Sequence, residues 1–156
     1  MIKNLSKSLC IMLILFLLMG QSTMLVAAST NEIYSITKEY LPDGSYYETE
    51  IRYTPTRATI TGASKTTTYK NNSGDALWYV RVTANFTFNG SSSSCTSASC
   101  SANSYSSSWK ILKRESNRSG NTAYAAARAG NYVAGKLIGT HDKTVSLTCD
   151  KNGNLS

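Results

Sequence analysis

The sequence predicts an all-β protein, and three observations carry that prediction. The segment Ala76–Gly90, ALWYVRVTANFTFNG, keeps a period of two over a dozen residues, with Trp78, Val80, Val82, Ala84, Phe86 and Phe88 on one side. Such alternation marks a strand with one face turned to a core. Threonines cluster at Thr66–Thr68, and branching at Cβ suits a pleated surface better than a helix. Polar turn sequences separate the apolar runs at short intervals, the spacing expected of a β-sandwich, immunoglobulin-like or related, or of a barrel. The sandwich is the expected form, with a β-hairpin at its N-terminal end.

The chain opens MIKNLSKSLCIMLILFLLMGQSTMLVAAST. Lys3 and Lys7 precede an apolar run from Leu9 to Met19, and Val26-Ala27-Ala28 offers small residues to a signal peptidase. That order is the secretory signal pattern, and the run is short for a bilayer span. Cleavage is expected after Ala28, making residues 1–28 a signal peptide that carries Cys10 away with it. The expected protein is secreted, with no stable membrane span after cleavage.

The chain carries sixteen basic and nine acidic residues, a formal charge of +7. The distribution is uneven, because five of the acids lie within residues 29–60. The bases after Thr61 are scattered and not gathered into a stripe, which argues against nucleic acid. A basic exterior fits a cell-wall polymer or a glycan as possible partner through long-range attraction.

Within residues 29–54, IYSITKEYLPDGSYYETEIRYT reads as an acidic hairpin turning at Pro42-Asp43-Gly44. Pro55 lacks the N–H that a sheet ladder needs, so residues 54–57 read as a joint before a sandwich domain of residues 58–156. The hairpin is expected either to pack on that body as edge strands or to extend from it. Five of the ten tyrosines fall in it; a two-stranded element cannot bury them all, and exposed tyrosines stack on sugars or dock partners. Tyr46 and Tyr47 are the candidate ligand-binding residues.

Past the long strand, the serine-dominated stretch 91–108 reads as a loop or as an edge strand with little to bury. Trp109 and Ile111 begin an imperfect alternation. TAYAAARAGNYVAGKLIG, residues 122–139, is rich in alanine yet alternates, and its neighbours favour a strand. GTHDKT reads as a turn before a last strand in which Val145, Leu147 and Cys149 share a face.

Three cysteines follow the signal. Export makes a disulfide the default fate of a core-facing pair. Cys149 is in phase with Val145 and Leu147, and Cys95 follows the long strand. A Cys95–Cys149 bridge closes a loop of roughly 55 residues, worth about 4 kcal/mol in the chain-entropy model. Pairing of Cys100 with Cys149, or of Cys95 with Cys100, remains open. No metal site is expected, since His141 and Cys149 are too far apart for a tight ligand pair. No cofactor is expected, and no phosphate-binding glycine loop, nucleophile elbow or zinc-protease helix is present in the sequence. His141 is the single histidine, and Glu48 and Glu50 share a face without a walled cleft, so no catalytic residue is assigned.

The order of YLPDGSYYET, KTTTYKNNSGDALWYVRVTANFTFNG, SSSSCTSASC, SWKI and VSLTCDKNGNLS resembles a group of small secreted proteins of Gram-positive bacteria, especially clostridia. The resemblance implies a signal peptide followed by an all-β domain with cysteines near the positions of Cys95 and Cys149, and brings no activity with it. The expected function is a non-catalytic extracellular module contacting the cell surface or glycans. The alternative is a secreted bacteriocin-like or antagonist effector acting on neighbouring cells.

Overall fold

A computed structural model describes residues 32–54 and 56–156; the expected signal peptide, residues 1–28, lies outside them. Eight strands follow one another: β1 (Glu32–Tyr40), β2 (Tyr46–Tyr53), β3 (Thr59–Lys70), β4 (Ala76–Phe88), β5 (Ser93–Ser104), β6 (Trp109–Ser119), β7 (Thr122–Val133) and β8 (Lys136–Thr148). They form two antiparallel sheets, ordered β1-β2-β3-β4-β5 and β6-β7-β8. The β-sandwich expected from periodicity is what the chain forms. Every strand pairs with its sequence neighbour, a meander in each sheet and not the Greek key of immunoglobulin domains. The related member of the expected pair is therefore the one observed.

The core is built from a bulky face set against a small one. Along β4, Trp78, Val80, Val82, Ala84 and Phe86 are all buried. Opposite them β7 presents Ala123, Ala125, Ala127 and Ala129, also buried, and β4 contacts both β7 and β8. Large side chains on one sheet fill the space that alanines leave on the other, as close-packed interiors require. That pairing explains the alanine run: β7 is a strand whose inner positions have room for little more than a methyl group. Val145, Leu147 and Cys149 complete the core from β8 and its end.

The N-terminal hairpin is continuous with the body. β2 pairs β3 from Tyr46↔Lys70 to Arg52↔Ser64, so the hairpin forms one side of the five-stranded sheet, with β1 at its edge. Of the two expected placements, packing as edge strands is the one observed. Glu48 ties the strands together, accepting from Lys70 Nζ at 2.5 Å and lying 3.5 Å from Lys38 Nζ.

Of the two readings of the serine stretch, the edge strand is the one observed: it forms β5 at one edge of the five-stranded sheet, and its inward residues, Cys95, Ala98, Cys100 and Ala102, are small enough to leave no hydrophobic signature. One expectation needs correction. GTHDKT is not a turn but the middle of β8. The turn lies earlier, at Ala134-Gly135, a two-residue loop closed by the Val133↔Lys136 pair. Both residues have positive φ, 49° and 78°, the backbone of a type I′ hairpin turn. Among the described residues, no helix is long and apolar enough to cross a membrane.

Candidate functional site

The side chains singled out by sequence fall in different places. Tyr47 lies on the inner face and is buried beside Tyr69, with ring centroids 5.2 Å apart. Lys143 Nζ sits 4.0 Å from the centre of the Tyr47 ring and pairs with Glu39 at 2.7 Å. Burial pushes the Tyr47 phenol up from 10 to about 12. Tyr46 points to the outer face yet is only 9% exposed. Tyr40, 5.1 Å away between centroids, and Lys38, 5.1 Å from its ring centre, cover it. The expectation that these two tyrosines lie open to a ligand is corrected: their neighbours shield them, and among the hairpin's described side chains Tyr40 is the exposed aromatic, at 67%.

His141 is half-buried on the inner face of β8, opposite Ala129. Its ring centroid lies 5.0 Å from that of Tyr69 and 5.2 Å from that of Trp109. It caps an aromatic cluster of Tyr47, Tyr69, Trp78 and Trp109 that closes one end of the sandwich. Beneath it Tyr69 donates to Ser45 Oγ at 3.0 Å, and Ser45 donates to Asp43 Oδ1 at 2.6 Å. These hydrogen bonds from Ser45 hold the Asp43 carboxyl below its ordinary value. The chain of donors anchors the β1–β2 turn to the core; within it the Ser45 hydroxyl is 5% exposed with its proton committed to Asp43. Glu48 and Glu50 share the outer face, the first engaged by Lys70 and Lys38, the second by Arg52 at 2.9 Å.

The three thiols Cys95, Cys100 and Cys149 are free in the structure, so the expected Cys95–Cys149 bridge is not formed there. Each Sγ instead donates to a nearby carbonyl: Cys95 to Ser97 at 3.2 Å, Cys149 to Asp150 at 3.4 Å. The expectation of two core-facing cysteines is met, since both are buried. They also flank one turn, Cys95 N–H bonding Gly120 O at 2.9 Å and Cys149 N–H bonding Asn121 O at 3.0 Å. Charge on Cys95 opposes ionisation of Cys149, as expected of neighbours. Burial raises the pKa of all three thiols. Cys100 acquires a role that the sequence left blank: its Sγ reaches the opposite sheet, 3.7 Å from Ala126 O and within reach of the Glu115 N–H. His141 and Cys149, eight residues apart on one extended strand, sit roughly 25 Å from each other.

The Asp150–Asn154 stretch uses its carboxylate locally. Asp150 Oδ1 accepts from the N–H groups of Asn152 and Asn154, and Oδ2 from Asn154 Nδ2, each at 2.8 Å.

What sequence reasoning missed is the outer face of the five-stranded sheet. Alternation sends Tyr79, Arg81 and Thr83 of β4 outward, beside Thr66 and Thr68 of β3 and Ser99, Ser101 and Asn103 of β5. The result is a flat field of hydroxyls and amides. Tyr79 and Tyr105 pair on it with centroids 5.5 Å apart, and Arg81 Cζ lies 5.6 Å from the Tyr79 ring centre. Tyr105 is 63% exposed. Arg81 Nε is fixed by donation to Thr66 Oγ1 at 2.8 Å. Tyr40 and Tyr46 share this face, β2 lying about 10 Å from β4 by strand spacing. The signal was present as the polar half of the alternation in ALWYVRVTANFTF, where Tyr79 stands with Arg81 and Thr83 on the face away from Trp78.

No protein family, curated protein or solved structure matches this chain.

Proposed function

We propose that the protein is a secreted, non-catalytic module that contacts cell-surface glycans through the outer face of its five-stranded sheet. The observation that carries this reading is the Tyr79–Tyr105 pair, one ring largely exposed, set in a flat field of hydroxyl and amide groups. Aromatic faces cover the C–H faces of sugar rings at low rotamer cost, and neighbouring serine, threonine and asparagine side chains match sugar hydroxyls. The anchoring of Arg81 on Thr66 and Tyr79 holds part of the surface ready before a ligand arrives. The apolar leader at residues 1–28 supports the extracellular setting.

In that oxidising setting Cys95 and Cys149 join. A disulfide oxidant gives up its own S–S bond as the two thiols lose their protons and form one, and the oxidant leaves as two thiols. Their shared turn and mutual burial support this pairing over either one involving Cys100.

The test is retention of purified protein on cell-wall preparations and glycan arrays. Tyr105→Ala is expected to weaken binding about five- to tenfold, consistent with loss of one aromatic contact. Unchanged retention in the Tyr79→Ala/Tyr105→Ala double variant would sink the reading.

A further inference from the structure

The two sheets meet unevenly along the side where β5 and β6 run. Toward Gly120 the gap is stitched: Cys95 N–H bonds Gly120 O, Arg118 donates to Cys95 O at 2.8 Å, and Cys100 Sγ reaches across to Ala126. Farther along, the strands part into a groove of about 540 Å³, lined by Ala102–Ser104 of β5 and Trp109–Arg114 of β6. Residues 105–108 join the two strands.

The lining has three cations, Lys110, Lys113 and Arg114, and no carboxylate. Lys113 is drawn partly away by Glu115 at 2.7 Å, and Lys110 lies over the Tyr132 ring at 4.9 Å. Arg114 has no ion pair among the described residues. Its planar guanidinium is suited to a carboxylate held by two parallel hydrogen bonds. Buried Trp109 and Ala102 form part of the lining, and Asn103 and Ser104 supply polar groups at the lip.

Position gives this groove its meaning. Asn103 lines it and also stands opposite Tyr79 on the outer face, so the tyrosine platform and the groove share a rim along β5. We infer that the ligand is an acidic glycan, its neutral rings lying on Tyr79 and Tyr105 and a carboxylate reaching over β5 to Arg114. This rests on the proposed glycan contact and adds the charge of the ligand to it. A carbohydrate is favoured over a simple polyanion because the cations adjoin aromatic faces, which a phosphodiester chain without rings would leave unused.

The experiment uses the full mature chain on an array of uronate-containing oligosaccharides and their carboxyl-reduced counterparts. Poly(glycerol phosphate) is included as a ringless polyanion. Wild type is expected to prefer the carboxylated member of its best pair about tenfold, a preference that shrinks as salt rises. The Arg114→Gln variant should lose that preference while binding the neutral member as wild type does. Tyr105→Ala should weaken both members together. Equal binding of the two members, or a preference that survives in Arg114→Gln, would overturn the acidic-glycan inference and leave the glycan reading standing. Tighter binding to poly(glycerol phosphate) than to any uronate would overturn it as well. Binding to no oligosaccharide at all would overturn both.

Discussion

The ring of Phe88 lies directly over Gly153: a Cβ added at Gly153 would come within 2.6 Å of Phe88 Cζ, with two more ring atoms within 2.9 Å. Gly153 also holds φ at +88°, a backbone that side chains other than hydrogen resist. Gly153→Ala should therefore cost about 2 kcal/mol, strain and overpacking together. Gly130→Ala is the comparison. Its Cβ would meet the ends of the Leu137 and Leu112 side chains at 2.8 and 3.0 Å; both leucines are more than 40% exposed and can swing aside. That variant should stay within about 1 kcal/mol of wild type. Urea unfolding of both variants checks the contrast.

At the β7–β8 turn, Ala134 is the one non-glycine residue with positive φ among the described residues. Type I′ turns favour asparagine at this first position. Ala134→Asn should stabilise the protein by about 0.5–1 kcal/mol, the size of effect seen when a residue is matched to its backbone. A lowered melting temperature would contradict the turn assignment.

Tyr47 gives a pH signature in alkali. Its phenol ionises near pH 10 in the unfolded chain, but burial defers this to about 12 in the fold. Between those values the unfolded state releases a proton that the folded state keeps. Stability should therefore fall as pH rises from about 10 to 12. Tyr47→Phe should flatten that decline, measured by denaturant unfolding at several alkaline pH values.

Cys95 and Cys149 predict a mass loss of about 2 Da on exposure to glutathione disulfide, reversed by reductant and retained in Cys100→Ser. The bridged protein should be more stable by about 4 kcal/mol in the chain-entropy limit. Mapping the bridge to Cys100 would refute the pairing.

Strands that bury large residues were sharply legible in the sequence, and those that bury small ones only through alternation and context. Trp78 through Phe86 announced β4, and Val145 and Leu147 announced the end of β8. β5 was obscured because Cys95, Ala98, Cys100 and Ala102 face alanine-lined β7 and the edge strand β6, where larger groups would not fit. β7 was read as a strand from its alternation and its neighbours, against the helix propensity of alanine, which is also the side chain this narrow space accepts. The first half of β8 runs past most of the core, so His141 had no hydrophobic neighbours in sequence to place it in a strand. Its companions, Tyr69 and Trp109, come from β3 and β6. The outer Tyr79–Tyr105 face escaped notice because Tyr46 and Tyr47 drew attention by their number and proximity. What decides exposure is the lateral neighbour across the strands, and Tyr105 gains its partner Tyr79 only through the β4–β5 register.

Among the described residues the chain passes between sheets once, at residues 105–108, and the other strand connections stay within a single sheet. A nick there would leave two complete hydrogen-bonded pieces, each with all its ladders intact. Their mating surfaces, bulky on one and methyl-lined on the other, make them natural complementation fragments. Once Cys95 and Cys149 had joined, the nicked halves would remain a single covalent molecule.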